Sequence, residues 1–341
     1  MHFLNDISVE ELFTVSTGLN VVSSFHFSQA SQELLSEAAG TQIHVLRSTE
    51  ELAAALAEAE VLCGYELPEN WRELAPRLCW LQFSGAGVDS LGPTGALDAG
   101  SKLIITTAAG IHASTISEYV LGSMLMFNWN WPQMVRLQDA HVWARSASWY
   151  RLGRRELGGS TLGIVGVGSI GHAVARLGKA FGMRVLGMRR SAPREGEADP
   201  DVDAYYPPQR LHELLAECDY VVLSVPLTRE TELLIGEAEL RAMRRTAYLV
   251  NVARGRVVDE QALVRALQER WIAGAGLDVT ENEPLPANSP LYGMQQVILT
   301  PHISGQSAHY DARLAALFAD NLRRYRAGEP LRNRYDPSRG Y

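Results

Sequence analysis

A strand, a glycine-rich turn and a helix follow one another in residues 161–190, TLGIVGVGSIGHAVARLGKAFGMRVLGMRR. The apolar run TLGIV predicts a buried strand, and GHAVARLGKAFG has the spacing of an amphipathic helix. Between them stand Gly166, Gly168 and Gly171 in the order G-x-G-x-x-G. Glycines at this spacing permit a tight turn, a close approach of backbone to pyrophosphate, and close contact of helix and strand. The stretch therefore predicts the start of a dinucleotide-binding domain.

The phosphates of the dinucleotide are expected at the beginning of this helix. Its first N–H groups have no partner within the helix, and its dipole presents a positive end there. The predicted contacts with the cofactor are Gly166, Gly168, Ser169, Ile170 and Gly171.

The end of the following strand, MRVLGMRR, indicates which dinucleotide is preferred. A site that prefers NAD usually ends this strand with an acidic residue, which accepts a hydrogen bond from the ribose 2′-hydroxyl. Here Arg189 and Arg190 stand in that place, and the first acidic residue after them is Glu195. Two guanidinium groups match the charge and geometry of a 2′-phosphate. NADP(H) is thus the predicted cofactor and NAD(H) the alternative, and a solvated basic strand end is the competing interpretation.

Strands and helices also alternate on both sides of this stretch. Downstream, YVVLSVP, AYLVNVA, GAGLDV and QVILTPH are typical of strands, and upstream EVLCGY, LCWLQFSG and KLIITTA are as well. Such alternation predicts α/β architecture with parallel sheets covered by helices. We predict two doubly wound parallel-sheet domains, a Rossmann-type cofactor domain and a flavodoxin-like, discontinuous substrate domain.

The predicted substrate (catalytic) domain comprises residues 1–112 and 303–341, and the predicted dinucleotide-binding domain comprises residues 113–302. A long helical stretch is predicted from about 114 to 140, and an amphipathic helix from 307 to 326 is expected to pack on the first domain.

Composition limits the classes of function. A chain of 341 residues favours two domains, and its net charge of −8 argues against a sequence-independent nucleic-acid binder. The cysteines, Cys63, Cys79 and Cys218, are predicted to be buried apolar residues rather than disulfide partners. The first residues lack the features of a signal peptide, and no apolar run approaches the ~20 residues that span a bilayer. We expect a cytoplasmic protein without nucleic-acid or membrane partners.

Three further strand ends carry residues with complementary chemistry. Arg254 follows AYLVNVA, Asp278 and Glu283 follow GAGL, and His302 follows VILTP. The carboxyl ends of parallel strands line the ligand crevice, so these side chains should converge beside the cofactor. An arginine can hold a carboxylate, a histidine can give and take a proton near neutrality, and a carboxylate can stabilise the imidazolium. The set predicts hydride transfer between a nicotinamide and the second carbon of a small 2-hydroxy or 2-oxo acid.

Each of these residues also has an ordinary structural interpretation. Arg254 could form a surface ion pair, Asp278 could cap a turn, and His302 could be a structural histidine. Asp259 is interpreted as a helix N-cap. No metal site is predicted, because the nine histidines have no ligand spacing with another histidine or a cysteine.

The segments NVARGRVVDE, GAGLDVTENEPLP and TPHISG resemble the signature segments of the D-isomer-specific 2-hydroxyacid dehydrogenases, of the NADP-type, glyoxylate/hydroxypyruvate reductase-like kind. The resemblance implies that Arg254 binds and polarises the substrate and that His302 is the acid–base group. It implies that Glu283 partners His302 and that Asp278 holds the nicotinamide carboxamide.

The resemblance extends over other segments. FSGAGVDSL resembles the family's substrate loop, which implies that Ala86 and Gly87 bind the carboxylate through their N–H groups. The implied cofactor contacts outside the glycine turn are Pro226, Thr231, Val252 and Ala253. The departures are Arg189, where many members have Asp, and Ser304, where Gly or Ala is usual.

The resemblance also implies a homodimer. In the family an arm, at about residues 125–155 here, packs across a two-fold axis, and one of its tryptophans reaches the partner's site. Trp143 is the predicted residue.

Two alternatives accompany this prediction. Formate dehydrogenase resembles the family but pairs its histidine with Gln, and Glu283 argues against it. A co-repressor-type binding protein that kept the fold and senses NAD(P) is the second alternative. The intact Arg254, Glu283 and His302 set favours an enzyme with a small-molecule substrate.

Overall fold

The computed structural model describes residues 18–46, 50–98, 100–143, 155–190 and 199–341. The chain divides into two compact units, Met1–Ala109 with Ala308–Tyr341, and Gly110–Ser307. The assignment of the first unit to the substrate and of the second to the cofactor stays a prediction, as do the bounds 112/113 and 302/303. No helix in the described ranges has the length and apolar character needed to cross a membrane.

Strands and helices alternate along most of the described chain. The strands are β1 (Val21–Ser23), β2 (His44–Val45), β3 (Val61–Gly64), β4 (Trp80–Phe83), β5 (Ile104–Thr106), β6 (Thr161–Val165), β7 (Arg184–Met188), β8 (Ala204–Tyr206), β9 (Tyr220–Leu223), β10 (Tyr248–Asn251), β11 (Gly274–Leu277) and β12 (Val297–Leu299). The α-helices are α1 (Gln29–Ala39), α2 (Glu50–Leu56), α3 (Trp71–Leu74), α4 (Ala113–Asn128), α5 (Trp131–Asp139), α6 (Ser169–Ala180), α7 (Leu211–Glu217), α8 (Glu237–Ala242), α9 (Glu260–Gln268) and α10 (Tyr310–Arg326).

The first unit is built on a five-stranded parallel sheet in the order β2-β1-β3-β4-β5. Helix α10 returns from the end of the chain and packs against α1, as predicted. Asp311, in the first turn of α10, accepts hydrogen bonds from the Ser28 N–H at 2.9 Å and the Ser31 hydroxyl at 2.6 Å. These bonds join the amino-terminal ends of the two helices.

The second unit is built on a seven-stranded parallel sheet in the order β12-β11-β10-β9-β6-β7-β8. The chain runs outward from β6 to β8, returns to β9 and runs outward in the other direction to β12. The strand order therefore reverses between β6 and β9, which is where open α/β sheets bind ligands.

Both faces of this sheet are covered. Successive residues of a strand point to opposite faces, and here they enter different core clusters. Val221 and Leu223 of β9 pack in one cluster, whereas Tyr220 and Val222 pack in the other. All four residues of β9 are buried, which confirms the predicted doubly wound architecture.

Three local predictions were incomplete or wrong. The long helical stretch is two helices, because Asn130 lies in the left-handed region at φ 50° and Pro132 starts a new helix. Strand β8 was not predicted, since its three residues, AYY, are too few to show a periodicity. Cys79 is exposed and not buried, because it lies in the turn before β4, where its thiol donates to the Arg77 carbonyl at 3.3 Å.

Candidate active site

The glycine turn after β6 has a conformation that only glycine adopts easily. Gly166 lies at φ 104°, and a Cβ there would be 2.9 Å from the carbonyl of Ser224. A Cβ at Gly171 would be 2.3 Å from the carbonyl oxygen of Gly166. The turn and the close packing of α6 on it therefore require both glycines.

Gly168 is a glycine for a different reason. It precedes α6 in an extended conformation, and a Cβ there would meet no atom of the protein within 4 Å. Gly168 and Ser169 are exposed, and Ile170 is half-buried. Packing does not explain the missing side chain at residue 168, but a phosphate approaching the backbone at the start of a helix does. The turn therefore fits a dinucleotide.

Arg189 and Arg190 follow β7 directly. The Arg189 guanidinium lies over the Tyr205 ring, 4.8 Å from its centroid, and its Nε atom is buried with no hydrogen-bond partner among the described residues. Arg190 is exposed. Glu195 lies outside the described residues.

Asp199 anchors the aromatic ring beneath Arg189. Its carboxylate accepts a hydrogen bond from the Tyr205 hydroxyl at 2.6 Å and from the Asp201 N–H at 3.0 Å. Burial opposes ionisation of Asp199, but these bonds and the nearby charges of His172 and Arg189 outweigh burial and lower its pKa. The ring of Tyr205 is thereby held as a platform for the guanidinium.

The loop after β9 borders the glycine turn. The Ser224 hydroxyl donates to the Gly166 carbonyl at 2.8 Å. Within this loop the Thr231 hydroxyl donates to the Pro226 carbonyl at 2.6 Å. The predicted cofactor residues Pro226 and Thr231 thus belong to one internally bonded loop.

Arg254 follows β10 in a turn that Asn251 fixes. The Asn251 side chain accepts from the Ala253 N–H and donates to the Arg254 carbonyl, both at 3.0 Å. Val252 and Ala253 are buried, and Arg254 is half-buried. This backbone geometry places the guanidinium-bearing residue at the carboxyl edge of the sheet.

A hydrogen bond joins Glu283 and His302 at the same edge. The Nδ1 atom of His302 lies 2.7 Å from Oε2 of Glu283. The other carboxylate oxygen of Glu283 accepts from the Thr280 N–H at 3.2 Å. A carboxylate held in this way fixes the orientation of the imidazole ring.

Asp278 is buried, with 2% of its surface exposed, and contacts the segment that carries His302. Its carboxylate accepts hydrogen bonds from the Thr300 hydroxyl at 2.6 Å and from the N–H groups of Ile303 and Ser304 at 3.0 Å. Thr300 was not among the residues predicted from the sequence. The one sequence feature that could have pointed to a role for it in the site is its position two residues before His302.

A cavity of about 620 Å³ adjoins these residues within the second unit. Its polar lining includes Asp278, Glu283, Thr300 and His302. No group of three or more His, Cys, Asp or Glu side chains suited to a metal ion occurs in the described part of the chain.

The remaining predicted site residues belong to other segments of the chain. Ala86 and Gly87 follow β4 in the first unit, where Ala86 is exposed. Trp143 is 83% exposed, and residues 144–154 of the predicted arm lie outside the described residues. The structure therefore brings together Asp278, Glu283 and His302 by direct hydrogen bonds.

Comparison with protein families gives a match over residues 121–304 to the model described as "D-isomer specific 2-hydroxyacid dehydrogenase, NAD binding domain". A glyoxylate reductase of Thermococcus gammatolerans is 44% identical over 236 residues, which cover 65% of this chain and 69% of the relative. A glyoxylate reductase of Korarchaeum cryptofilum is 39% identical over 264 residues, which cover 75% and 76%.

Solved structures resemble the chain as well. A D-isomer specific 2-hydroxyacid dehydrogenase from Xanthobacter autotrophicus Py2, in complex with NADPH and MES, is 30% identical with a TM-score of 0.79, and the match covers 96% of this chain and 100% of that one. A D-isomer specific 2-hydroxyacid dehydrogenase family protein from Aeromonas salmonicida is 32% identical with a TM-score of 0.78, and the match covers 94% and 100%.

Proposed function

Because the chain belongs to the D-isomer specific 2-hydroxyacid dehydrogenase family, we propose that it is an NADPH-dependent reductase of glyoxylate or another small 2-oxo acid. The family assignment makes it an NAD(P)-dependent oxidoreductase of 2-hydroxy and 2-oxo acids. The observation that carries the proposal is the 2.7 Å contact between His302 and Glu283. An imidazole paired with a carboxylate is suited to give a proton to a carbonyl oxygen near neutral pH.

The choice of glyoxylate rests on the relatives. The two curated relatives named above are both glyoxylate reductases. Hydroxypyruvate and bulkier 2-oxo acids are the other candidates to be compared with it.

The preference for NADPH rests on Arg189 and Arg190. They follow β7 where an NAD-preferring site carries an acidic residue, and Arg189 has a buried Nε without a partner among the described residues. A structural relative with NADPH bound supports the same choice. NADH is the proposed weaker alternative.

The proposed roles follow from the chemistry of the side chains. Bound NADPH supplies the hydride that reduces C2. His302 donates a proton to the 2-oxo oxygen from Nε2, because Nδ1 faces Glu283, and the charge of Glu283 stabilises the protonated ring. Arg254 holds the carboxylate and polarises the carbonyl, and Ala86 and Gly87 are proposed to bind the carboxylate through their N–H groups. In the reverse direction His302 takes the proton back.

A substrate panel tests this proposal. Oxidation of NADPH and of NADH would be followed with glyoxylate, hydroxypyruvate, pyruvate and phenylpyruvate, each over a range of concentrations. We expect the highest kcat/KM with glyoxylate or hydroxypyruvate and NADPH. Turnover with NADH that equals or exceeds turnover with NADPH would overturn the cofactor assignment, and higher kcat/KM with phenylpyruvate would overturn the substrate assignment.

The two alternatives raised by the sequence are less well supported. Glu283 stands where formate dehydrogenase has Gln, and it contacts the imidazole directly. The comparisons give no support to a co-repressor-type binding protein.

The proposal includes a homodimer formed through the region of α5. This helix buries none of its described side chains, and several apolar side chains in and beside it are exposed. They are Trp129, Trp131, Val135, Val142 and Trp143. A cluster of exposed aromatic residues on one element is typical of a surface covered by a partner. A second copy of the chain is the partner that the family resemblance implies.

Sedimentation at micromolar concentration tests the dimer. We expect a dimer for the natural chain and a folded monomer for Val135→Asp, since a charge in the centre of this surface opposes its burial. A monomeric natural chain would contradict both the dimer and the role proposed for Trp143 in the partner's site. A cytoplasmic location is also kept as a proposal, which cell fractionation would test.

A further inference from the structure

The backbone of His302 has an unusual conformation. Its φ is 53°, in the left-handed region that residues other than glycine rarely occupy. Such a conformation persists only where neighbouring groups impose it, and it occurs often at functional sites. The groups that impose it on His302 can be identified.

The main chain of His302 is bonded to the end of β11. Its N–H donates to the Asp278 carbonyl at 2.8 Å and to the Thr300 carbonyl at 3.1 Å. The next two N–H groups, of Ile303 and Ser304, donate to the two carboxylate oxygens of Asp278. Asp278 thus accepts bonds from three consecutive residues through its main chain and its side chain.

The Asp278 carboxylate also accepts a hydrogen bond from a side chain, that of Thr300. The Thr300 hydroxyl lies 2.6 Å from Oδ1 of Asp278 and 2.8 Å from the Tyr119 hydroxyl. A threonine has one hydroxyl hydrogen, and a carboxylate can only accept. Thr300 therefore donates to Asp278 and accepts from Tyr119, which lies on α4.

Tyr119 is suited to this donor role. Burial, and to a smaller extent the charge of Asp278, raise the pKa of Tyr119 to about 12. Its hydroxyl therefore stays protonated over the pH range in which a histidine exchanges protons. The resulting chain of bonds runs from Tyr119 through Thr300 to Asp278.

We propose that Asp278, Thr300 and Tyr119 are positioning residues for His302, which hold its backbone so that Nδ1 faces Glu283. This inference rests on the proposed function. It adds to the role that the family resemblance implies for Asp278. The buried carboxylate accepts two bonds at Oδ1 and one at Oδ2 from residues 300–304, and Oδ2 can accept one more donor, such as the nicotinamide carboxamide.

Thr300 offers a matched pair of variants. Thr300→Val keeps the shape of the side chain and removes the hydroxyl, whereas Thr300→Ser keeps the hydroxyl. Tyr119→Phe removes only the outer hydroxyl. For each variant we would measure kcat, KM for the 2-oxo acid, and Kd for NADPH by fluorescence titration without substrate.

We expect Thr300→Val to lower kcat by about 10- to 100-fold, since hydrogen bonds to charged groups are the strong ones. Kd for NADPH should stay within about twofold, Thr300→Ser should restore kcat, and Tyr119→Phe should lower kcat by a smaller factor. Unchanged kcat in Thr300→Val would overturn the inference. Loss of NADPH affinity with unchanged kcat would also overturn it and would leave Asp278 with a cofactor role alone.

A second measurement does not depend on turnover. The proton between Nδ1 of His302 and Glu283 should give a downfield NMR resonance, which His302→Ala would assign. We expect this resonance in the natural chain and in Thr300→Ser, and its loss in Thr300→Val and in Glu283→Gln. Its persistence in Thr300→Val would overturn the inference.

If the natural chain reduced no 2-oxo acid, the proposed function would fail while this measurement still decided the positioning role. If Thr300→Val did not fold, Tyr119→Phe would provide both readouts.

Discussion

The two halves of the sheet in the second unit present polar groups in different ways. Beyond β11 and β12, the side chains of Asp278, Glu283 and His302 are bonded to one another, to the adjoining main chain or to the Thr300 hydroxyl at 2.6 to 3.2 Å. Beyond β6 and β7, the chain offers the start of a helix at Gly168 and an arginine, Arg189, whose Nε has no partner among the described residues. We call the end beyond β11 and β12 the acid–base half, in which the protein itself holds the polar side chains in place. We call the end beyond β6 and β7 the phosphate-binding half, in which polar groups are left available to a ligand.

The first prediction tests the acid–base half. Replacing His302 by Ala should lower kcat by about 10²- to 10⁴-fold, because the proton donor is lost. Kd for NADPH should change little, since the phosphate-binding half is intact. Steady-state kinetics and a cofactor titration measure the two effects.

The control for this variant is His212→Ala. His212 also pairs with a carboxylate, Glu239, at 2.8 Å, but it lies on α7 and is largely exposed. It should leave kcat unchanged. Substantial residual activity in His302→Ala would mean that another group donates the proton.

The second prediction tests the phosphate-binding half. Replacing Arg189 by Leu should raise KM for NADPH by about 10- to 100-fold, because a charge-assisted bond to the 2′-phosphate is lost. KM for NADH should be nearly unchanged, since NADH lacks that phosphate. Arg184→Leu, at the other end of the same strand, is the matched control. An equal rise in both KM values would exclude the proposed contact with the 2′-phosphate.

The third prediction concerns Gly168, the glycine of the turn that protein packing does not require. Gly168→Ala should lower the melting temperature by no more than about 2 °C, because its Cβ would meet no protein atom within 4 Å and alanine is only a poorer N-cap of α6. It should weaken NADPH binding by about tenfold, since the added methyl group keeps the pyrophosphate from the backbone. Gly122→Ala on α4, which is equally open, should leave NADPH binding unchanged and raise the melting temperature slightly, because alanine favours a helix more than glycine does. Normal binding by Gly168→Ala would place the pyrophosphate elsewhere.

The difference between the halves also explains what the sequence could predict. The glycine turn is local, so that three glycines at fixed spacing after a strand were sufficient to predict β6, the turn and α6. The enzyme class followed from segments around Arg254, Glu283 and His302, and the comparisons confirm it. The contact of Glu283 with His302 could be expected because both follow neighbouring strands of a parallel sheet.

Other features depend on contacts distant in sequence or on very short elements. Tyr119 lies 181 residues from its partner Thr300, and no spacing rule connects them. Strand β8 consists of three residues, and its place at the sheet edge is set by pairing with β7. The Tyr205 platform for Arg189 could therefore not be predicted from the strand end alone.

The last prediction concerns the attachment of β8, which carries that platform. Asp203, next to β8, accepts from Lys179 at 2.7 Å and from the Val185 N–H at 2.7 Å. The pKa of Asp203 lies below its ordinary value of 3.8, mainly because of the hydrogen bond from Lys179 and next because of that from Val185. A carboxyl group whose pKa is lower in the folded state stabilises the fold above its unfolded pKa, and this contribution is lost as pH falls through the folded value.

Asp203→Asn should therefore lower Tm at pH 7 by about 2 °C, a small effect because the ion pair is partly exposed to solvent. The difference from the natural chain should shrink as the pH falls from 3.8 through the lower folded-state pKa of Asp203, below which this carboxyl is protonated in both states. Thermal unfolding at a series of pH values measures this, with Glu58→Gln, from an exposed pair with Arg77, as the control. Because Asn has nearly the same shape as Asp, a Tm difference that persisted at acid pH would show that hydrogen bonding, and not charge, attaches the edge strand.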